Sequence, residues 1–298
     1  MRVLVGTSAG LHCLGTRQTT ELGGRDVTAL ARDGSGLWAL VDGRTVLRRE
    51  GDADWAPVAT LGEATGTCLA ATPAGLLVGT EGAHLWRVGE GGLARVQAFD
   101  AMADRESWYT PWGDPPDTRS IAVDATGAWL VNVHVGGVAR STDGGASWQP
   151  TLDIETDVHQ ILAHPERPGW ILAAAAVGLV ESTDGGASWQ TTTEGLHAHY
   201  LRAVAVTHDA VLVTASTGPR GRRAALYRRP LDGGRLERCR QGLPEWFAGN
   251  VDTHCLAARG AEVALGTEDG AVYVSADGGR TFESLVKGVP AAQCVVLA

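Results

Sequence analysis

An all-β architecture of seven four-stranded blades, a β-propeller, is what three features of the sequence predict. The stretch Ser141-Thr142-Asp143-Gly144-Gly145-Ala146-Ser147-Trp148-Gln149 recurs letter for letter at 182–190. It returns, loosened, as Ser275-Ala276-Asp277-Gly278-Gly279-Arg280-Thr281-Phe282-Glu283. Short runs of alternating apolar residues, punctuated by Gly, Asp and Pro, fill the chain, and helix signatures are nearly absent. The two ends each carry part of a unit. A period of about forty residues marks a repeat architecture, and closing such an array hides the sheet edges that an open one exposes.

Aligned on the recurring stretch, 118–154, 158–196 and 252–288 each read as three strands, a turn and a fourth strand. Residues 201–240 form a degenerate copy in which Asp232-Gly233-Gly234-Arg235 keeps the turn while Pro230 and Glu237 replace the Ser and the Trp. Weaker copies occupy 27–58 and 67–99. The seventh blade comes from both ends: Arg2 to His12 match the second and third strands of a unit, and Gln293 to Ala298 supply its opening strand, with Gln293 or Cys294 at the inner position. Six blades is the competing count. The prediction is one domain over 1–298.

The repeated turn has its own physical reading. Paired glycines permit the positive φ of a tight connection, and the Asp carboxylate accepts backbone N–H groups across it. The Ser is expected to start one strand and the aromatic to begin the next. On these residues the chain resembles the Asp-box, or BNR-repeat, propellers: sialidases, sortilin-type receptors and photosystem II assembly factors. The resemblance implies that Asp143, Asp184 and Asp277 are structural and lie on the outer rim, away from the ligand face. Sialidases also carry an arginine triad, a Tyr–Glu nucleophile pair, an Asp acid and an N-terminal Arg-Ile-Pro. Here Arg119 and Arg202 could supply two of the arginines with Tyr200 near them, but there is no Arg-Ile-Pro, the third arginine is unassigned and the blade count differs. The resemblance covers the scaffold and stops short of the chemistry.

Composition narrows the function classes. A net charge of -9 argues against a nucleic-acid surface. No segment approaches a membrane span, and Met1 to Gly6 read as a strand rather than a leader. Five cysteines without CxxC spacing fit reduced, buried thiols in a cytoplasmic, bacterial-type soluble protein.

In a propeller the first strand of every blade lines the channel, so matching positions form a level. Arg119, His159, Arg202 and His254 share one level, with Thr28 and Thr67 in the second and third blades. Two residues earlier come Asp26, Asp117, Asp157, Tyr200 and Asp252, on the same strand face because the side-chain period is two. Glu81, His134 and Glu268 fall in turns on the same side. Two insertions join them, 101–117 with Trp108, Tyr109 and Trp112, and 217–225 with Arg220, Arg222 and Arg223; long loops on rigid scaffolds carry function.

Burying several cationic groups together requires partners. Either each Asp neutralises its neighbour and the level is a polar seal, or the carboxylates orient the imidazoles and the arginines clamp an anion bidentately. The second reading leads: a small carboxylate or phosphate bound by Arg119 and Arg202, with His134, Tyr200, Asp157 and Asp252 around it. Trp108 and Trp112 cover it, and His159 or His254 serves as acid or base of a hydrolase or lyase. No cofactor is required. Zn or Cu on His159, His254 and His134 is an alternative, as is a non-catalytic scaffold holding a protein partner on aromatics at 108–112 and Trp246-Phe247. His197 and His199 read as solvated loop histidines.

Overall fold

The computed structural model describes residues 1–34 and 36–298. Among these, the strands form seven four-stranded antiparallel sheets, the blades of a seven-bladed β-propeller. The first blade is built from both ends, in the order Cys294–Leu297, Val3–Thr7, Gly10–Leu14, Thr19–Glu21. Its register pairs Val3 with Leu297 and Gly6 with Cys294. The inner strands of the second to seventh blades are Val27–Asp33, Gly66–Thr72, Thr118–Val123, Val158–Ala163, Tyr200–Val206 and Leu256–Arg259, each followed outward by its sequence neighbours. No helix among the described residues is long and apolar enough to cross a membrane.

The Asp-box turns explain their own sequence. Asp143 accepts from the Ser147 backbone N–H (2.9 Å) and hydroxyl (2.6 Å) and from the Ser141 hydroxyl (2.8 Å), while Ser141 Oγ accepts from Gly145 N–H (2.9 Å). The same bonds recur around Asp184 and around Asp277. Gly144 and Gly145 hold φ of 71° and 89°, and a Cβ on Gly145 would stand 2.6 Å from the Trp129 ring, so a side chain is excluded twice over. The strand reading needs one correction. Ser141 ends the strand Gly137–Ser141, and Trp148 precedes the strand Gln149–Leu152, because the side-chain bonds that tie the turn need the Ser at its exit from the ladder. The third blade is also shorter than its repeat suggests. It stops at Arg95, and Phe99 lies in a helical turn, Gln97–Asp100, where its ring packs on Trp108 and Trp148.

The chain separates into two compact units, 28–173 with 181–190, and 1–27 with 174–180 and 191–298. In each, polar side chains on or beside the first two strands of a blade staple it to the next. In the first unit the Ser120 hydroxyl donates to Asn132 Oδ1 (2.6 Å) and accepts from Ile161 N–H (2.9 Å), and Asn132 Nδ2 donates to the Val158 carbonyl (2.6 Å). Cys68 Sγ reaches the Thr118 carbonyl. In the second, Thr214 donates to the Val251 carbonyl (3.0 Å), Cys255 to Ala292 (3.4 Å) and Cys294 to Val27 (3.8 Å). The expected buried thiols are present, and four of them, with Cys239 on the Gly279 carbonyl at 3.3 Å, are weak donors to backbone rather than filler alone. Cys294, not Gln293, is the first residue of the closing strand and is the buried one of the two.

Candidate functional site

Backbone irregularity sets the arginines. The ladders of three inner strands slip where the expected level lies: between Gly66 and Cys68, between Thr118 and Ser120, and between Leu201 and Val204. Thr67, Arg119 and Arg202 are therefore bulge residues, left out of the regular pairing and re-aimed, the device that sheets use beside functional sites.

In the unit of residues 28–173, four predicted residues meet. Arg119 Nη1 donates to Asp157 Oδ1 at 3.5 Å, and Asp157 Oδ2 lies 3.6 Å from His159 Nε2. His159 is buried, its side chain 1% exposed. Burial works against the Asp157 charge, but the hydrogen bond and charge of His159, with Arg119 and then His134 beyond it, outweigh burial and hold the carboxyl below its ordinary value. Asp157 also takes a left-handed conformation, φ 45°, at the end of the turn Ile154–Thr156, so it precedes the inner strand and does not belong to it. Asp117 behaves in the opposite way. Burial first and Glu81 second push its carboxyl up, against the Gly82 N–H and Arg119.

The turn after Trp129–Val133 completes this cluster. His134 is buried, its N–H donates to the Asp117 carbonyl (2.9 Å), and Trp112 meets its ring edge to face at 4.7 Å. Val135 follows at φ 35°, a conformation that strains a β-branched residue by about 1–3 kcal/mol. Its carbonyl accepts the Tyr109 N–H at 3.4 Å, tying the 101–117 insertion to the turn. The Tyr109 hydroxyl reaches Glu155 at 3.5 Å. The two tryptophans of the insertion part company: Trp112 is 63% exposed over His134, whereas Trp108 is 6% exposed and packs in the core with Phe99 and Trp148. Sequence gave no means of separating them, since both stand in a loop rich in proline.

The other unit repeats the motif with different strength. Arg202 clamps Asp252 through Nε (2.6 Å) and Nη2 (2.5 Å), and its Nη1 donates to the Tyr200 hydroxyl at 3.5 Å. Burial opposes the guanidinium charge, and Asp252 and Tyr200 more than restore it, so its pKa is raised. His254 differs from the expected placement. The inner strand begins at Leu256, and His254 stands before it in a turn at φ 66°, its carbonyl accepting Val295 N–H at 2.8 Å. Among the described residues no three His, Cys, Asp or Glu side chains converge as metal ligands, so the Zn or Cu alternative finds no ligand set. Of the aromatic pair at 246–247, Phe247 is buried in the core, and His197 lies exposed in the loop before the inner strand, as expected, with its Nδ1 2.7 Å from the Tyr227 hydroxyl.

No protein-family model matches the chain, and no curated protein matches it significantly. Among solved structures it is similar to an ancestral GH74 enzyme, with a TM-score of 0.64 and 16% identity over 95% of this chain. This chain spans 39% of that longer one. A protein from Lactobacillus plantarum is similar over 99% of this chain and 98% of its own, with a TM-score of 0.63 and 15% identity. YCF48 bound to a D1 peptide aligns at a TM-score of 0.49 and 12% identity, over 95% of this chain and 77% of its own. At these identities the likeness is one of fold, the β-propeller formed by the seven sheets.

Proposed function

We propose that this chain is a cytoplasmic binding propeller that takes a small carboxylate or phosphate anion at the cluster of Arg119, His134, Asp157 and His159. The observation that carries the reading is the bulge at Arg119. The ladder irregularity sets this guanidinium against a loop carboxylate that also lies beside a buried imidazole, the kind of re-aiming that sheets use next to functional sites. An incoming oxyanion would take over the guanidinium fork from Asp157, whose bond to it is long, while Asp157 keeps its contact with His159. His134 and the Trp112 ring would border the ligand, excluding water from one side. The Asp157 carboxylate 3.6 Å from Nε2 favours a proton on that nitrogen, which would leave Nδ1 of His159 as the basic one in a hydrolase or lyase. The Arg202–Asp252–Tyr200 grouping offers a second anion position of the same design, with a tighter internal clamp to displace.

Thermal-shift and calorimetric screening over organic acids, sugar acids and phosphates tests this. Ligands that stabilise the protein should lose their effect in Arg119→Ala, and Arg119→Lys should recover only part of it, because an ammonium cannot make the two-point contact. Unchanged binding in a folded Arg119→Ala, Arg202→Ala double variant removes the assignment. A second reading, a protein partner, is favoured by the exposure of Trp112 (63%) and Tyr109 (42%) side by side on one insertion. Trp112→Ala separates the two: it should abolish capture of a protein partner and weaken a small anion only modestly.

A further inference from the structure

The sixth blade departs from the Asp-box pattern at its outer edge, and that edge collects arginine. Its hairpin reads Pro230-Leu231-Asp232-Gly233-Gly234-Arg235, and its outer strand, Glu237–Arg238, is two residues long. Arg223, Arg235, Arg238 and Arg240 border two grooves that share the segment around this strand. Among the described residues none of the four has a carboxylate within ion-pair distance, although Arg228 close by, at the edge of one groove, is paired with Asp209 at 2.7 Å. Four uncompensated guanidinium groups on a chain of net charge -9 are not explained by the fold.

Two of the four are held in place. Arg238 lies over the Trp246 ring at 3.7 Å and Arg223 at 4.8 Å, and the His197 ring, bonded to Tyr227, braces the same indole at 4.9 Å. Stacking of this kind fixes the fork before any ligand arrives, so little side-chain freedom remains to be lost on binding. The Nε of Arg238 is buried with no hydrogen-bond partner among the described residues. Burial and then the charges of Arg240 and Arg223 work against its own charge, with Tyr227 and Glu245 in partial opposition. An anion would relieve that repulsion.

We propose that the trough along Glu237–Arg238 is a docking site for an acidic peptide segment of a partner protein, gripped by Arg235, Arg238, Arg240 and Arg223 beside Trp246. Both grooves are lined by Arg235, Glu237, Arg238 and Arg240, so they meet at the outer strand, and a ligand that spans the two is an extended chain rather than an enclosed small molecule. Glu237 and Glu245 also line them. These carboxylates repel a uniformly charged polymer such as nucleic acid, and the negative balance of the whole chain does the same at longer range. They suit a peptide in which carboxylates alternate with neutral or basic residues.

The test uses the full chain and a short fluorescein-labelled peptide in which glutamate alternates with serine, read by anisotropy at low and at near-physiological salt. Saturable binding should weaken roughly tenfold in the Arg235→Gln, Arg240→Gln variant, neither of whose side chains touches a ring, and should keep wild-type affinity in an Arg17→Gln, Arg87→Gln control that removes the same charge elsewhere. Arg238→Gln should lose as much alone, with the melting temperature confirming that the blade is intact. Equal loss in the control, no loss in either trough variant, or displacement of the peptide by a thymidine oligonucleotide of equal charge at lower concentration would overturn the proposal.

Discussion

Asn132 shows how much a single buried side chain carries. Bonded to Ser120 within the fourth blade, it shares with that residue the two bonds that cross to the inner strand of the fifth, all among buried residues. Asn132→Ala would strand the Ser120 hydroxyl and the Val158 carbonyl, and the expected loss is about 1–3 kcal/mol of unfolding free energy, read from denaturant melts. Asn132→Asp should cost more, because it places a charge where no cation answers it. The thiols give a chemical counterpart. Burial pushes Cys68, Cys239 and Cys294 up to about 12, with Cys255 driven in the same direction. Since thiolate is the reacting species, iodoacetamide at neutral pH should leave these four unmodified in the native protein and alkylate them all once urea has unfolded it, as mass spectrometry would count.

Among the elements, the Asp-box hairpins couple stability to pH. The hydroxyl and N–H of Ser147, with Ser141, lower Asp143 to about 2, and the same arrangement lowers Asp184. At Asp277 burial works the other way but is outweighed by Thr281, Ser275 and Arg280. A folded-state pKa below the unfolded value means that the unfolded chain takes up protons first as pH falls. The stabilisation is therefore whole above about pH 4, the unfolded value for Asp, and is lost on acidification through the folded values. A triple Asp143→Asn, Asp184→Asn, Asp277→Asn variant should melt lower at neutral pH and show a flatter decline in melting temperature between about pH 4 and pH 2. These hairpins were legible because their chemistry is local: Ser, Asp, two Gly and an aromatic all act within nine residues. The bulges at Arg119 and Arg202 were not, because a register slip depends on the partner strand. Position along the inner strand was readable, and orientation was not. His254 stands in a local turn closed by the Cys255 N–H on the Asp252 carbonyl, at a positive φ that a histidine in sequence does not announce.

For the whole molecule, blade count was readable because the two ends complement each other as strands, and the pairing of Val3–Thr7 with Cys294–Leu297 bears that out. Function was less legible. Charge composition gave the sum and hid its distribution, so the unpaired arginines of the sixth blade stood only as residues of an insertion and a degenerate turn. Truncation before Gln293 would leave the first sheet with three strands, strip the Gly6 edge of its partner and remove the Cys294 contact to Val27. The expected result is a broad, less cooperative thermal transition with aggregation, and a sharp melt at the full-length temperature would contradict it. The same closure bears on biosynthesis. Cys294–Leu297 emerges from the ribosome after every other strand described, so three strands of the first blade must wait beside an exposed hydrogen-bonding rim until this strand appears. A nascent chain of this design should be vulnerable to neighbours on the same polysome, and a circular permutant that moves this strand ahead of Met1 should fold with less need of chaperones.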